Sequence, residues 1–412
     1  MLIPFDNIQC VSYRDLASDI SGSKFSTHAL HSYPGQLIPQ IPYYYLNKVK
    51  NIENSIVLDP FCGAGTVLVE AMHRNWSSVG VEINPVAALI AKVKTTPVQI
   101  KDLEKGFSLI KNVFHNTNYG NIEVPKFDNI DLWFEKQKII ELTALKLSID
   151  HIENEDIRDF FYVTFSSIVK SVSRADPKIY VPVLPKFGVP KKVPDVWPAF
   201  EKRYSELKKK MKEFLKKIEG NDVNSKVFTD DIKEFNESLN DVDLIITSPP
   251  YISAQKYVRS TRLEAYWLGY EKKFQLEINK NTIGTEKICR GDYKKIKYTN
   301  ISKLDDILND IFEKNPEKAG IVSNYFDDMR KVISKLYYML NKKGRFIMII
   351  GDNTVTGKSF PTSKYIINLC DIEGFIIDGI FKDEIYTRGL MRKRKNAAKI
   401  IEYEYVVEMR KP

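Results

Sequence analysis

The sequence predicts a doubly wound α/β sheet, and three observations carry that prediction. A short apolar strand runs through a glycine turn into a helix between residues 55 and 75. A second strand ends in a carboxylate, Glu82, and is followed at once by another helix. Strand-sized apolar runs then return late in the chain, separated by helical stretches. Alternating strands and helices with glycine in the first turn belong to parallel sheets flanked by helices.

In order, Ser55 to Asp59 (SIVLD) reads as a buried strand, PFCGAGT as the turn and VLVEAMHRN as a helix. SSVGVEIN is the next strand and PVAALIAKVK the next helix. From about Pro97 to Ser225 the alternation stops and the chain is long, mixed and largely helical. Within it the proline-rich stretch from Pro177 to Pro198 is expected as an extended surface excursion, because proline removes ladder and helix donors. A lysine-rich amphipathic helix is expected at Glu201–Ile218. KVFTDD and VDLIIT resume the strands, with a helix IKEFNESL expected between them. Residues 271–320 read as polar and irregular, a second insertion. A helix near Tyr325–Leu340, the strand GRFIMIIGD, a helix near Ser363–Glu373 and the strands FIIDGIF and EYEYVVEM complete the sheet. The expected organisation is one sheet domain in pieces (1–99, 226–270 and 321–412), with inserts at 100–225 and 271–320.

Composition narrows the class. The chain has 412 residues, 43% of them hydrophobic, enough for a sizeable core. Its 62 basic and 53 acidic side chains leave a net charge of +9, which suits a polyanionic partner. No apolar run reaches the roughly 18 residues of a membrane helix, and the first residues lack a basic segment followed by an apolar one. No membrane role or secretory signal is therefore expected. The four cysteines are scattered and the five histidines show no metal-ligand spacing, so a reducing cytoplasm and no metal are expected.

Two motifs carry chemistry. Asp59-Pro60-Phe61-Cys62-Gly63-Ala64-Gly65-Thr66 lies between strand and helix, where glycines let backbone N–H groups approach a ligand. Alone, such a loop is equally a structural tight turn. Glu82 at the end of the next strand shifts the balance, because an acidic side chain there can accept hydrogen bonds from ribose hydroxyls. It could also be a solvated strand-end carboxylate. Without GxGxxG, a dinucleotide is the poorer ligand, and without Gly-Lys-Ser/Thr, ATP is disfavoured. The second motif, Ser248-Pro249-Pro250-Tyr251, ends the strand VDLIIT. Its prolines fix φ, so Ser248 Oγ and a main-chain carbonyl become a rigid pair of acceptors beside an aromatic ring. That pair suits an exocyclic amino group on a flat ring.

Together these residues resemble the amino-group DNA methyltransferases, which move a methyl group from S-adenosylmethionine to N4 of cytosine or N6 of adenine. DPFCGAGT is similar to their cofactor loop, VGVEINP to their ribose-binding strand and TSPPY to their catalytic motif. His31-Ser32-Tyr33-Pro34-Gly35 is similar to the segment that packs against the methionine end of the cofactor. The resemblance covers roughly 25–97, 226–270 and 325–412. It implies a seven-stranded Rossmann-like methyltransferase sheet with an inserted, mainly helical target-recognition region at 100–225. The insert precedes the Asp231 segment, a departure from the family's alpha order of motifs.

For single residues, the resemblance implies that Tyr33, Pro34, Asp59, Pro60, Phe61, Gly63, Gly65 and Thr66 cradle the cofactor and Glu82 its ribose. Asp231 or Asp230 would bond the adenine amino group, although either could instead cap a following helix. Ser248, Pro249, Pro250 and Tyr251 would be catalytic, with Tyr251 stacking on a flipped base. Tyr257, Arg259 and Arg262, with Arg388, Arg392, Lys393 and Arg394, are expected to contact DNA. Ser at the head of the motif favours cytosine N4, with adenine N6 as the alternative. An RNA amino-methyltransferase and a non-catalytic DNA-binding protein on the same fold are the remaining alternatives. The expected partners are double-stranded DNA and a separately acting cognate restriction endonuclease. A monomer or weak dimer in a prokaryotic cytoplasm, associated with the nucleoid, is the expected state.

Overall fold

The computed structural model describes residues 8–20, 22–49, 55–185, 193–239, 241–252, 257–286, 296–385 and 402–412. Its strands are β1 (Gln9–Cys10), β2 (Ile56–Asp59), β3 (Ser77–Val81), β4 (Ser225–Phe228) and β5 (Val242–Thr247). They continue with β6 (Leu340–Gly351), β7 (Asn353–Val355), β8 (Lys358–Phe360), β9 (Ile376–Glu384) and β10 (Tyr403–Arg410). Eight form one sheet in the order β1-β9-β10-β6-β5-β2-β3-β4, while β7 and β8 form a small hairpin at its side. The seven expected strands are all there, and the two-residue β1 adds itself to the edge of β9. The sheet is parallel except for β10, which runs antiparallel between β6 and β9.

Side chains alternate between the faces with the period of two that a pleated strand imposes. Leu244, Ile246, Ile347 and Ile349 face the helices Gln40–Lys48 and Thr66–Met72. Ile245, Phe346, Met348 and Ile350 face the helices Ser302–Lys314, Pro316–Met339 and Thr362–Glu373. Both faces are thus covered, which is why the central strands are continuous apolar runs.

After β2 the chain builds β3 and β4 on one side, and β5 and β6 on the other. The order therefore reverses at the β2–β5 boundary, and a crevice opens at the carboxyl ends of these strands, the place where such sheets bind ligands.

The stretch between β3 and β4 holds helices Ile100–Asn116, Lys136–Asp150, Glu155–Val169 and Val196–Lys217. They bury Phe114, Leu142, Phe161, Phe165, Phe200 and Phe214 in one cluster with Val86 and Ile90 of helix Pro85–Thr95 and Leu263 and Trp267 beyond β5. The insert is therefore packed onto the elements that carry the crevice.

Three local expectations are corrected. The lysine-rich helix starts at Val196, before Glu201, because Pro198 falls in the first turn, where its missing N–H costs nothing. The described residues of 271–320 are not irregular, since they hold helices Lys272–Asn281 and Ser302–Lys314 and the start of Pro316–Met339. Leu304, Leu308 and Ile311 recur at helical spacing and are buried, a stripe that the polar residues between them obscure. IKEFNESL is not a helix. It makes a turn in which Glu234 and Phe235 N–H donate to the Asp231 carbonyl, pinned by buried Ile232 and Phe235. Among the described residues no helix is long and apolar enough to cross a membrane.

Candidate active site

The loop after β2 enters its helix through two glycines in the left-handed region, Gly63 (φ +50°) and Gly65 (φ +79°). At Gly65 the need is also steric, since a Cβ would lie 2.9 Å from Ala91 Cβ on the neighbouring helix. Glu82, just past β3, ties this loop down. Its two carboxylate oxygens accept from Gly63 N–H at 2.9 Å and Asn84 N–H at 2.8 Å. Burial nevertheless pushes its carboxyl up to about 7, against the pull of those two N–H groups. Asn84 in turn caps the helix Pro85–Thr95, accepting from Val86 N–H, and its amide donates to Thr261 Oγ1 at 3.1 Å and Tyr33 OH at 3.4 Å.

Behind the loop, Asp59 joins the two motifs. Its Oδ1 accepts from Thr247 Oγ1 at 2.7 Å, the last residue of β5, and from Phe61 N–H at 3.1 Å. Burial raises its carboxyl to about 7 as well. The glycine loop and the Ser-Pro-Pro-Tyr turn are thereby fixed to one another through a buried carboxyl group.

The turn is held from three further directions. Tyr251 OH donates to Glu404 Oε1 on β10 at 2.5 Å. Asn353 Nδ2 donates to the Ile252 carbonyl at 3.2 Å. Gly284 (φ +76°) approaches so closely that a Cβ there would lie 2.5 Å from the Tyr251 carbonyl oxygen. Ser248 is half-buried at the head of the turn, with no hydrogen-bond partner among the described residues.

Between these elements lies a cleft of about 700 Å³, the open solvent at its mouth included. Of the predicted cofactor residues, Tyr33, Pro60, Phe61, Gly63, Glu82 and both Asp230 and Asp231 line it. Ser248 and Pro250 line its far wall, and so does Tyr257, whose ring stacks with Tyr33 at 6.4 Å. Residues as distant in the chain as Tyr33 and Ile283 thus face one space.

Other predicted residues stand elsewhere. Asp59 lies behind the loop, Gly65 and Thr66 begin the helix, and Pro34 and Pro249 are buried outside the cleft. Tyr251 also lies outside it, beyond Ser248 on the β6–β10 side. Arg262, half-buried, places its guanidinium over the Trp133 ring of the insert at 5.4 Å. Arg259 is exposed. Arg388, Arg392, Lys393 and Arg394 lie outside the described residues.

Several site residues escaped the sequence reading. Asn84 was signalled by Asn-Pro at a helix start, the pattern of an N-cap before proline. Asn281, Thr282 and Ile283 close one wall of the cleft from the region read as irregular. Glu404 and Asn353 carried no local signal, since only the pairing of distant strands brings them to the turn.

A second cluster needs no ligand to explain it. His28 and Glu70 bond at 2.7 Å, His73 lies 3.6 Å from the same Glu70 oxygen, and Arg74 holds the other oxygen at 2.5 Å. Ser26 Oγ meets the remaining His73 nitrogen at 3.1 Å. These ring and carboxylate atoms occupy one another, with a guanidinium where a cation would have to compete.

Residues 18–93 match the family model described as DNA methylase, for N6 and N4 methyltransferases. The Type II methyltransferase M.MvaI of Kocuria varians is 28% identical over 377 residues, 85% of this chain and 82% of that protein. The Type II methyltransferase M.MjaII of Methanocaldococcus jannaschii is 32% identical over 172 residues, 39% of this chain and 32% of that protein. The Type II methyltransferase M.BsoBI of Geobacillus stearothermophilus is 21% identical over 374 residues, 77% and 72% of the two chains. Among solved structures, a Thermus thermophilus protein complexed with S-adenosyl-L-methionine aligns over 44% of this chain and 51% of that chain. Its 18% identity and TM-score of 0.22 carry no argument.

Proposed function

We propose that this chain, a member of the amino-group methyltransferases, methylates the exocyclic N4 of cytosine in a short duplex site. It is an S-adenosylmethionine-dependent DNA methyltransferase, and cytosine N4 is the finer reading. The observation that carries it is the convergence of Gly63, Glu82, Asp231 and Ser248 on one cleft. A nucleoside with a charged tail fits that lining: half-buried Glu82 for ribose hydroxyls, Asp230 and Asp231 for an adenine amino group, and glycine N–H groups near the tail.

When bound, S-adenosylmethionine supplies an electrophilic methyl group on its sulfonium. Ser248 Oγ and the Pro249 carbonyl accept the two N–H bonds of the target amine and turn its lone pair out of conjugation with the ring. The prolines hold those acceptors in place before the base arrives, so little reorganisation remains for the reaction. Asp59, joined to both Thr247 and the Phe61 N–H, keeps the spacing between the two binding halves. The proton lost from nitrogen passes to Ser248 or water. A base inside a duplex must be flipped out, at a cost of a few kcal/mol, and Tyr251 is the aromatic face that offsets part of that cost. The helical insert is the proposed target-recognition region. Restriction-modification, with a separate endonuclease cutting the same unmodified site, is the proposed setting.

The test is single-molecule sequencing of genomic DNA from a methylation-free host expressing the chain or its Ser248→Ala variant. N4-methylcytosine at one recurring motif is expected from the parent. The variant is expected to lose about 10²- to 10³-fold in kcat, the usual effect of removing one oriented hydrogen-bonding group. It should still bind S-adenosylmethionine by calorimetry. N6-methyladenine would keep the reaction and overturn the base, and an unmodified genome would overturn DNA as the substrate.

A further inference from the structure

The cleft accounts for one side of Ser248, and the contact between Tyr251 and Glu404 concerns the other. Because β10 runs antiparallel, its first residues lie at the carboxyl end of β6, where Glu404 pairs with Gly351. From there Glu404 Oε1 accepts from Tyr251 OH at 2.5 Å. The main chain at Tyr251 is fixed too, by the close approach of Gly284 to its carbonyl and by Asn353 on the next carbonyl. The tyrosine is thus held at its backbone and at the tip of its ring, leaving its ring little freedom to turn. A lone phenol could be satisfied by water at this crevice, yet the chain spends a carboxylate from a strand more than 150 residues away on it. Burial raises the Glu404 carboxyl, and the bond from Tyr251 pulls it back. The charge of Arg14 also acts on this carboxylate.

We infer that Glu404 is a positioning residue that locks the Tyr251 ring as the stacking face for the extruded target base, on the β6–β10 side of Ser248. The inference rests on the proposed base-methylation reading and goes beyond it by naming the residue that sets base capture. A carboxylate on the phenol also enriches the ring, and an electron-rich face attracts the positive charge that the base ring shares as its amine is alkylated. Glu404 touches neither reactant. Its effect is transmitted through Tyr251.

The experiment is steady-state methylation of a duplex carrying the motif found by genome sequencing, with S-adenosylmethionine affinity measured by calorimetry on the same preparations. Glu404→Ala and Tyr251→Phe are each expected to lower kcat/KM for DNA by about 10- to 100-fold, the value of one charge-assisted hydrogen bond. The cofactor affinity of both should stay at the parent value, and the double variant should be no worse than the worse single. Glu404→Gln keeps an acceptor for the phenol and should recover most of the loss. Parent-like DNA kinetics in Glu404→Ala, additive losses in the double variant, or Glu404→Gln as poor as alanine would each overturn the positioning role. Loss of cofactor binding in Glu404→Ala would overturn it also, by showing a general structural effect. A parent chain that methylates no DNA overturns the reading of function and this inference together, whereas an active parent with insensitive variants overturns only this inference.

Discussion

Asp59, buried, and Glu82, half-buried, show what a desolvated carboxyl group does here before any ligand arrives. Each accepts hydrogen bonds from the motif it supports, and each is raised to about 7 by burial. A raised acid favours the folded state fully below its unfolded value, about 4 for Asp. That contribution is lost as pH rises through the folded value near 7, because the charge must then be held without water. Asn at position 59 can still accept from Thr247 and Phe61 through its oxygen, and it carries no charge. Asp59→Asn should therefore gain thermal stability relative to the parent as pH is raised from 5 to 8, in melts that need no ligand. A variant whose melting temperature differs from the parent's by the same amount at both pH values would refute the buried charge.

Among the elements, the short helix Thr66–Met72 depends on its entry. Gly65 has both a positive φ and Ala91 at contact distance, so Gly65→Ala should force apart the helices Thr66–Met72 and Pro85–Thr95. Overpacking with left-handed strain should destabilise the protein by about 1–3 kcal/mol in urea unfolding. An alanine variant as stable as the parent would show that these helices part freely. At the same scale, Asn315-Pro316 marks its helix clearly, with Asn315 accepting from Lys318 N–H and proline in the first turn. The helix Lys272–Asn281 buries only Gln275 and Ile278, so its stripe is thin and most of its residues face solvent. Yet its last residue reaches the cleft, with Lys233 Nζ on the Asn281 carbonyl at 3.0 Å.

At the scale of the whole molecule, the net charge of +9 belongs with a DNA substrate. Of the lysine-rich helix, Lys208 pairs with Glu104 at 2.9 Å and Lys210 with Glu213 at 3.0 Å, so part of its charge is already answered within the protein. We expect the basic stretch at 388–395 to contribute more to phosphate binding. Replacing Arg392, Lys393 and Arg394 together by Ser should reduce the slope of log affinity against log salt by about 0.9 for each lost phosphate contact. An unchanged slope, measured by fluorescence anisotropy on duplex DNA, would put the phosphate contacts elsewhere. The insert cannot be an appended module, since its apolar core is continuous with Leu263 and Trp267 just beyond the Ser-Pro-Pro-Tyr turn. The insert and the elements around the cleft therefore share a packed interior.

The sequence by itself determined the alternation of strands and helices and the two motifs, on which the resemblance to the amino-group DNA methyltransferases rests. Those features are local: apolar runs with a period of two or 3.6, glycines at a turn, and prolines that fix φ act within a few residues of where they are written. Tertiary structure alone decided what the motifs are attached to. Asp59 meets Thr247 across 188 positions, Tyr251 meets Glu404 across 153, and Arg262 lies over the ring of Trp133. Nothing near Glu404 in the chain distinguishes it from any other strand-end carboxylate. Its partner is chosen by the antiparallel entry of β10 beside β6, a pairing set by burial of the whole sheet, so its role is legible only once the strands are in register.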